Sequence, residues 1–543
     1  MSGRAGNGRP ISANTTSPLE LWLSLAVFVA LTTFLATRHA MWRDEVRAFS
    51  VAIHARSWLE LFGNTQQDGH PIIWYAILRV GYAVTHSTLV LPVASLLIAW
   101  TAAFLILRFA PFPVWIRLLT IFGVFLGHEF SVVSRNYGIG VLFMVLASIL
   151  FPARGERPIR LGIVLALLAN TSVHAAVAAL LLGFVWIGSD LLNPASRRAL
   201  IRPASLAALV IAAAGAAFAL WSAHVPPDMA YAVPFSRLSP DKWGAIPLDP
   251  GKGLMGFEQA NIAAAGLLPW ARVGINPALA CRVIVDIALL GIAWSLRRNS
   301  ICLAAALLGV VCFEVIFRLM YSGGLRHEGM LAFILISLVW IACEDSETRP
   351  ASERRTIAFG LLPMLFFQAV ALPVTVRRVL LYPTSSSRAF AELINRTPAW
   401  REAILAGEPD FMMEPMSYYV SNRVYMPRQR AFVYRVNFDR VRRQRDLRLG
   451  TLIDVADSLS CATGRQVLLA IAYPKVLSDT SGEEHSPYQG TLFRWDSAER
   501  ARLFAEGKRI GSFLQASGDE NYSVFAFAPR ATATCNAGRN QRD

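Results

Sequence analysis

Long apolar blocks separated by short polar segments run along the chain from Leu19 to Val374. A helix needs roughly 20 apolar residues to cross the core of a bilayer, so this pattern predicts an α-helical membrane protein of many spans. The first block is as long as a full span and is interpreted as a retained anchor, not a cleaved signal peptide. We predict about eleven spans: Leu19–Thr37, Thr88–Leu107, Val114–Glu129, Tyr137–Phe151, Leu161–Thr171, His174–Ile187, Ala204–His224, Pro277–Leu296, Ile301–Met320, Gly329–Ile341 and Ile357–Val374.

Two apolar stretches compete for the second crossing, which must end before Arg108. His70–His86 would reach about 24 Å as a helix, which is short for a bilayer core, and it carries Arg79. Thr88–Leu107 has the length of a span and no charged residue. We therefore predict Thr88–Leu107 as the span, and Pro71–Thr85 as a helix that lies on or dips into the outer surface of the membrane.

Arginine-rich loops predict the orientation, because such loops stay in the cytoplasm. With a cytoplasmic N-terminus, alternating crossings leave the region from Val376 outside the cytoplasm. The expected domains are a disordered cytoplasmic tail (1–17), a transmembrane domain (18–375) and a soluble extracytoplasmic α/β domain (376–543). Alternating helix-like and strand-like stretches predict the α/β domain: Ala389–Ile394, Phe432–Phe438, Val467–Tyr473 and Tyr522–Ala528.

Composition supports a membrane protein, since 54% of the residues are hydrophobic, 16% are charged and the mean hydropathy is +0.43. The net charge is +15, and most of the basic residues flank the apolar blocks or lie in the C-terminal part. Topology signals and anionic lipid headgroups explain most of this excess. No basic stripe with interleaved stacking aromatics stands apart from the apolar blocks, so we expect no nucleic-acid partner.

The six cysteines form no CxxC or Cys/His metal pattern. Cys461 and Cys535 belong to the C-terminal region, where one disulfide and two separate thiols are both consistent with the sequence. The others lie in or beside apolar blocks and are interpreted as buried small residues: Cys281, Cys302, Cys312 and Cys343.

Charged and polar residues collect at the span ends that this topology places outside. Ionisable groups there are costly unless they serve a cavity, a partner or the headgroup layer. Their concentration on one face predicts a shared polar cavity. The clusters are Arg43, Asp44, Glu45 and Arg47; Asp68 and His70; His128, Glu129, Arg135 and Tyr137; Asn170 and His174; Arg326, His327 and Glu328; and, in the loop 224–258, Asp228, Asp241, Lys242, Asp249 and Lys252.

Each cluster also has an ordinary structural interpretation. Asp44–Glu45 between two arginines is consistent with a charged helix start, and His70–Pro71 with the first turn of a helix. Arg135 and Tyr137 are typical headgroup anchors. His174 is consistent with a histidine satisfied inside the bundle, and Arg326 with a salt bridge to an acidic neighbour.

The order of these motifs resembles the GT-C glycosyltransferases. Within them the likeness is to the branch of aminoarabinose transferases and protein O-mannosyltransferases, similar to glycosyltransferase family 39. The motifs that carry it, over about the first 380 residues, are Asp44-Glu45, His70-Pro71 with "IIWY", "SRNY" ending at Tyr137, "SVH" ending at His174, and Arg326-His327. The family's second proline, its "THY" tyrosine and the tyrosine after its arginine are replaced here by Ile72, Ala175 and His327.

The resemblance implies that a sugar is transferred, with inversion, from a polyprenyl-phosphate donor to an acceptor outside the cytoplasm. The acceptor is an envelope lipid, a polysaccharide or a protein. Asp44 is then the general base, and Glu45 orients the site or holds a metal. Asp68 positions the acceptor, or binds a cation with His70.

The same resemblance assigns the lipid phosphate to cationic donors, of which Arg135 and Arg326 are the first candidates. Tyr137 adds a hydroxyl, His174 lies in the same set, and Arg43 or Arg47 is an alternative donor. A divalent ion held by Asp44, Asp68 and His70 stays undecided, because their spacing fits no defined metal motif. The expected location is the inner (plasma) membrane.

Two other classes of protein fit a many-span chain. A transporter or flippase of lipid-linked sugar would show broken helices with charges near the middle of the membrane, often in repeated halves. A non-catalytic glycan-binding assembly protein would keep the fold without needing Asp44. The charges lie mostly at span ends and no repeat is visible, which favours the enzyme over the transporter.

Overall fold

The computed structural model describes residues 17–229, 277–319, 323–345, 351–439, 443–486 and 490–529. The chain divides into two compact units, which we call the membrane unit and the C-terminal unit. The membrane unit comprises Met1–Ala36, Pro92–Trp221 and Leu238–Thr375. The C-terminal unit comprises Thr37–Leu91, Ser222–Arg237 and Val376–Asp543.

Seven helices within the described ranges are long and apolar enough to cross a membrane. They are Pro18–Arg38, Val90–Phe109, Val173–Leu192, Pro203–Ser222, Ser300–Phe317, Leu325–Glu344 and Leu362–Leu381. Shorter apolar helices cover two other predicted spans, at Tyr137–Ala153 and Pro158–Ala169. The chain is therefore a multi-pass membrane protein, and several of the eleven predicted spans are too short to cross a bilayer alone as straight helices.

Helices α1 to α16 follow the chain through both units. They are α1 (Pro18–Arg38), α2 (Arg43–His54), α3 (Trp58–Asp68), α4 (Ile73–Thr85), α5 (Val90–Phe109), α6 (Val114–Ile121), α7 (Tyr137–Leu150), α8 (Pro158–Ala169), α9 (Val173–Leu192), α10 (Pro194–Leu200), α11 (Pro203–Ser222), α12 (Pro277–Leu296), α13 (Ser300–Leu319), α14 (Leu325–Glu344), α15 (Ala351–Phe359) and α16 (Leu362–Leu381). Helix α4 lies within the helix predicted over Pro71–Thr85.

Two predicted spans are broken. Val114–Glu129 divides into α6 and a π-helical turn, Phe125–Glu129. Near this break, a Cβ on Gly123 would lie 3.2 Å from Gln368 Oε1, and a Cβ on Gly127 would lie 3.1 Å from Leu372 Cδ2, so the backbone packs closely against the neighbouring helix. Within the span predicted over Ile357–Val374, the long helix begins only at Leu362, because the helix is interrupted at Gly360. A Cβ on Gly360 would overlap Ser295 and the backbone of Gly291.

Helix α14 is the central helix of the membrane unit. Its residues Gly329–Cys343 are all buried. A helix that is apolar on every side is typical of the middle of a bundle. It packs against α7, α9 and α13, so the residues at its N-terminus lie beside the starts of other membrane helices.

The C-terminal unit contains a six-stranded sheet in the order β3-β2-β1-β5-β9-β8 and a three-stranded sheet in the order β4-β7-β6. In the larger sheet β2, β1 and β5 are parallel, while β3, β9 and β8 pair antiparallel to their neighbours. The strands are β1 (Ile404–Glu408), β2 (Val424–Met426), β3 (Ala431–Phe432), β4 (Asp446–Arg448), β5 (Val467–Ile471), β6 (Gly482–Ser486), β7 (Thr491–Trp495), β8 (Lys508–Phe513) and β9 (Tyr522–Phe527).

Five helices accompany these sheets: α17 (Ser387–Arg396), α18 (Met416–Tyr419), α19 (Leu449–Thr463), α20 (Lys475–Ser478) and α21 (Ser497–Glu506). Strands β1 and β5 are buried along their whole length, with a hydrophobic cluster on each face. Such strands are apolar on both faces, as buried parallel strands usually are. The predicted extracytoplasmic segment therefore folds as an α/β domain.

The strand predicted over Phe432–Phe438 is wrong after its first residue, because β3 ends at Phe432. The Val433 N–H still donates to the Val424 carbonyl of β2 at 3.2 Å, but at Val436 the backbone bonds to side chains. Val436 N–H donates to Glu414 Oε1 at 2.6 Å, and the Val436 carbonyl accepts from Arg47 at 2.8 Å.

Thr37–Leu91 belongs to the C-terminal unit, although the sequence grouped it with the transmembrane domain. Ion pairs and hydrogen bonds join this segment to residues after Val376. Cys461 is disulfide-bonded, and Cys535 lies outside the described residues. Cys302, Cys312 and Cys343 are free thiols.

Candidate functional site

Three of the predicted site motifs meet in the membrane unit, at the rings of Tyr137, His174 and His327. The ring centroids of His174 and His327 are 5.1 Å apart and nearly parallel, at 21°. Tyr137 lies 5.4 Å from His327 and 6.2 Å from His174. Residues 190 positions apart in the chain therefore form one aromatic cluster.

Each ring stands at the start of a helix. Tyr137 is the first residue of α7, His174 the second of α9 and His327 the third of α14. The exposed N–H groups and the dipole of a helix make its N-terminus electropositive and favourable for anions. The motifs that contain these three helix starts also contain Arg135 and Arg326. The region is therefore suited to binding an anion.

Local contacts hold these helix starts together. Ser172 caps α9 by accepting a hydrogen bond from the Ala175 N–H at 3.1 Å. The Asn136 amide, just before α7, donates to the Thr171 carbonyl at 2.7 Å. One turn into α7, a Cβ on Gly140 would lie 3.3 Å from the Ala175 Cβ and 2.7 Å from the Met330 methyl. Glycine thus lets α7, α9 and α14 approach closely below the cluster.

Two phenylalanine rings extend the cluster, whereas His128, Glu129 and Asn170 make contacts of their own. The Phe313 ring is 5.3 Å and the Phe317 ring 6.0 Å from His174. His128 and Glu129, in the π-helical turn, bond to each other at 3.0 Å. The Asn170 amide donates to backbone carbonyls of Ala166 and Gly215, so it supports helix packing.

In the C-terminal unit, the predicted acidic pair opens α2 and its two members are placed differently. Glu45 is completely buried, and its Oε2 bonds to His39 Nε2 at 2.7 Å and to the Trp42 N–H at 3.2 Å. The Asp44 carboxylate is 37% exposed and lies 3.9 Å from Arg43 Nε. Asp44 is therefore accessible to a substrate, whereas Glu45 fixes the start of the helix.

Arg47 and Asp68 form a buried ion pair. Arg47 Nε donates to Asp68 Oδ1 at 2.7 Å, and the Tyr75 hydroxyl donates to Oδ2 at 2.9 Å. Burial alone would raise the pKa of Asp68, but the charges of Arg47 and Arg435 hold it below its usual value. Asp68 therefore carries a charge that links α2 to α3 and α4.

Arg47 also contacts the α/β domain. Its Nη1 donates to Glu414 Oε1 and to the Val436 carbonyl, each at 2.8 Å. Its guanidinium lies 4.7 Å from the centre of the Phe438 ring. Burial raises the pKa of Glu414 to about 7 against the opposing charge of Arg47. Arg47 therefore has a structural role, because it links α2 to the α/β domain.

Arg43 makes the matching contact at the start of α2. Its Nη1 and Nη2 bond to the two carboxylate oxygens of Asp519 at 2.5 and 2.9 Å, and its backbone N–H donates to Glu520 Oε1 at 2.8 Å. Sequence reasoning missed Glu414, Asp519 and Glu520. No local motif marks them, because their partners lie more than 360 positions away.

The arrangement of Asp44, Asp68 and His70 does not suit a metal ion. Among the described residues, no group of three or more His, Cys, Asp and Glu side chains could hold one. The His70 Nδ1 bonds to the Asp68 carbonyl at 2.9 Å, and the Asp68 carboxylate is bound to Arg47 and Tyr75. The loop residues Asp241, Lys242, Asp249 and Lys252 lie outside the described residues, whereas Asp228 is within them.

No protein-family model matches the chain, and no curated protein matches it. Among solved structures, the chain is similar to a crystal structure of ArnT from Cupriavidus metallidurans bound to undecaprenyl phosphate, with a TM-score of 0.46 and 12% identity, covering 94% of this chain and 98% of that one. It is similar also to ArnT from the same organism in the apo state, with a TM-score of 0.42 and 13% identity, covering 93% and 97%. At such low identity and TM-score, neither structure assigns a ligand or a reaction to this chain.

Proposed function

We propose that this protein is a membrane glycosyltransferase that takes a sugar from a polyprenyl-phosphate donor. The acceptor is a component of the cell envelope, namely a lipid, a polysaccharide or a protein. The reaction takes place outside the cytoplasm at the inner (plasma) membrane, with a cytoplasmic N-terminus and an extracytoplasmic α/β domain. The order of the motifs from Asp44 to His327 supports this proposal through their resemblance to the GT-C enzymes.

The observation that carries the proposal is the cluster of Tyr137, His174 and His327 at three helix N-termini. A lipid phosphate is an anion attached to an apolar chain. It suits an electropositive aromatic cluster among membrane helices, where the chain stays among apolar residues. Arg135 and Arg326 donate to the phosphate oxygens, and the Tyr137 hydroxyl adds a further donor.

Asp44 is the general base. The acceptor's hydroxyl or amino group attacks the anomeric carbon, and the bond from that carbon to the phosphate oxygen breaks. The acceptor's proton passes to the Asp44 carboxylate, and the polyprenyl phosphate leaves with the electron pair of the broken bond. Attack on the face opposite the leaving group inverts the anomeric centre. Glu45 and Asp68 are held in ion pairs or hydrogen bonds and orient the residues around the base.

The test uses the full-length protein, purified in detergent and given polyprenyl-phosphate sugars with extracts of envelope lipids, polysaccharides and proteins as acceptors. Asp44→Asn is expected to lower the rate of sugar transfer by a factor of about 100 or more. Binding of polyprenyl phosphate is expected to be retained. Asp454→Asn is the matched control, since Asp454 is half exposed and is also paired with an arginine.

Unchanged turnover in Asp44→Asn would overturn the assignment of the base. Movement of the labelled lipid across a vesicle membrane without sugar transfer would instead identify a flippase. Binding of glycan without transfer by the unmodified protein would identify an assembly protein. Cysteine labelling must also find Asp44 on the extracytoplasmic side.

A further inference from the structure

Two arginines hold helix α2 on the α/β domain on either side of Asp44. Arg43 forms its bidentate pair with Asp519, and Arg47 pairs with Glu414. Residues four positions apart share one face of a helix. Asp44 is turned by about 100° around the helix axis from Arg43, and its carboxylate stays 37% exposed beside these contacts.

Glu45 provides a third attachment. Its carboxylate bonds to His39, and the other ring nitrogen of His39 lies 3.5 Å from the Thr384 hydroxyl. Thr384 directly precedes the serines that lead into α17. The Met41 N–H, two residues before α2, donates to the Tyr419 hydroxyl at 2.6 Å. Helix α2 is thus fixed at its start by several separate parts of the α/β domain.

We propose that Asp519, Glu520 and Glu414 are positioning residues for Asp44, so that the α/β domain sets the geometry of the base. The proposal rests on the proposed function for the role of Asp44. A 12-residue helix is marginally stable alone in water, so its position depends on tertiary contacts. A small displacement of a catalytic group lowers the rate strongly even when substrate binding is unaffected.

Asp519 is the best residue for a test, because its side chain is 56% exposed and its replacement need not disturb the core. In the full-length protein, Asp519→Asn is expected to lower kcat by roughly 10-fold, with the KM for the donor unchanged. Amide hydrogen exchange of residues 43–54 is expected to accelerate. Asp519→Glu keeps the charge and is expected to restore most of the activity.

Asp446→Asn is the matched control. Asp446 is 52% exposed and pairs with Arg494 at 2.9 Å in the same domain, but it contacts neither Arg43 nor Arg47. It is expected to leave kcat, KM and the exchange of residues 43–54 unchanged. Glu414→Gln provides a second variant at the other end of the attachment, with the same expected loss of kcat.

Normal kcat and normal exchange of residues 43–54 in both Asp519→Asn and Glu414→Gln would overturn the proposal. A rise in the donor KM with constant kcat would also overturn it, because it would indicate a role in binding. If Asp44→Asn is fully active, the proposed function fails instead. The exchange measurement would then still decide whether the acidic residues hold α2.

Discussion

Arg47 Nε donates a hydrogen bond to Asp68 Oδ1 at 2.7 Å, joining α2 to the end of α3. The two side chains are only 12% and 7% exposed. A carboxylate held in this way is a poor proton acceptor for a substrate and a poor metal ligand. Of the acids near the first span, Asp44 therefore remains the better candidate for chemistry.

The Arg47–Asp68 pair predicts a large loss of stability in Asp68→Ala. Removing one partner of a buried pair leaves an uncompensated charge, at a cost of about 3–5 kcal/mol. Asp454→Ala breaks a half-exposed pair with Arg502 and should cost about 1 kcal/mol or less. Thermal unfolding of both variants in detergent compares them, and equal values of Tm would contradict the prediction.

Glu520 predicts a pH dependence of stability. Burial raises its pKa to about 8 despite the charge of Arg43, from 4.5 in the unfolded chain. The folded protein therefore binds this proton more tightly than the unfolded chain does, and stability falls as the pH rises. The contribution of protonated Glu520 to the stability of the fold is complete below pH 4.5 and is lost as the pH rises through about 8.

Replacing Glu520 by Gln should flatten the dependence of Tm on pH between these values. Glu520→Gln keeps the size of the side chain and cannot ionise. Scans of Tm against pH for the unmodified protein and the variant provide the measurement. Parallel curves would show that other groups cause the dependence, and Glu483→Gln, an exposed acid, serves as the control.

Two glycines predict opposite effects of the same substitution in the membrane unit. A Cβ on Gly162 would overlap the backbone of Ala208, where α8 and α11 pack through small residues. Gly183 has nothing within 4 Å of its added Cβ. Gly162→Ala should lower Tm, whereas Gly183→Ala should leave Tm unchanged or raise it, because alanine favours a helix. The reverse order in thermal unfolding would contradict the packing of α8 on α11.

Replacing Arg326 is expected to weaken the binding of polyprenyl phosphate. A hydrogen bond to a charged group contributes about 1.5–3 kcal/mol, so Arg326→Gln should raise the Kd for polyprenyl phosphate by roughly 10- to 100-fold. Arg160→Gln, an exposed arginine on α8, should leave it unchanged. Titration of the lipid into purified protein measures both, and equal affinities would remove Arg326 from the phosphate site.

Local pattern was sufficient for many elements. Val467–Tyr473 and Tyr522–Ala528 contain β5 and β9, because continuous apolar runs of this length suit buried strands. The pattern failed at Val114–Glu129, where the helix is interrupted beside the closely packed Gly123 and Gly127. It failed also at Phe432–Phe438, where Glu414 and Arg47 take the hydrogen bonds of the Val436 backbone.

The sequence by itself determined a multi-pass helical protein with a C-terminal α/β domain, since hydrophobic blocks and periodicity are local properties. It also supplied the set of residues from which the candidate site is drawn. Only the tertiary structure decided how the charges around Asp44 are used. Arg43 and Arg47 look alike in "RDEVR", yet their partners Asp519 and Glu414 lie 476 and 367 positions away. Ion pairs form between neighbours in space, and the chain order does not specify those neighbours.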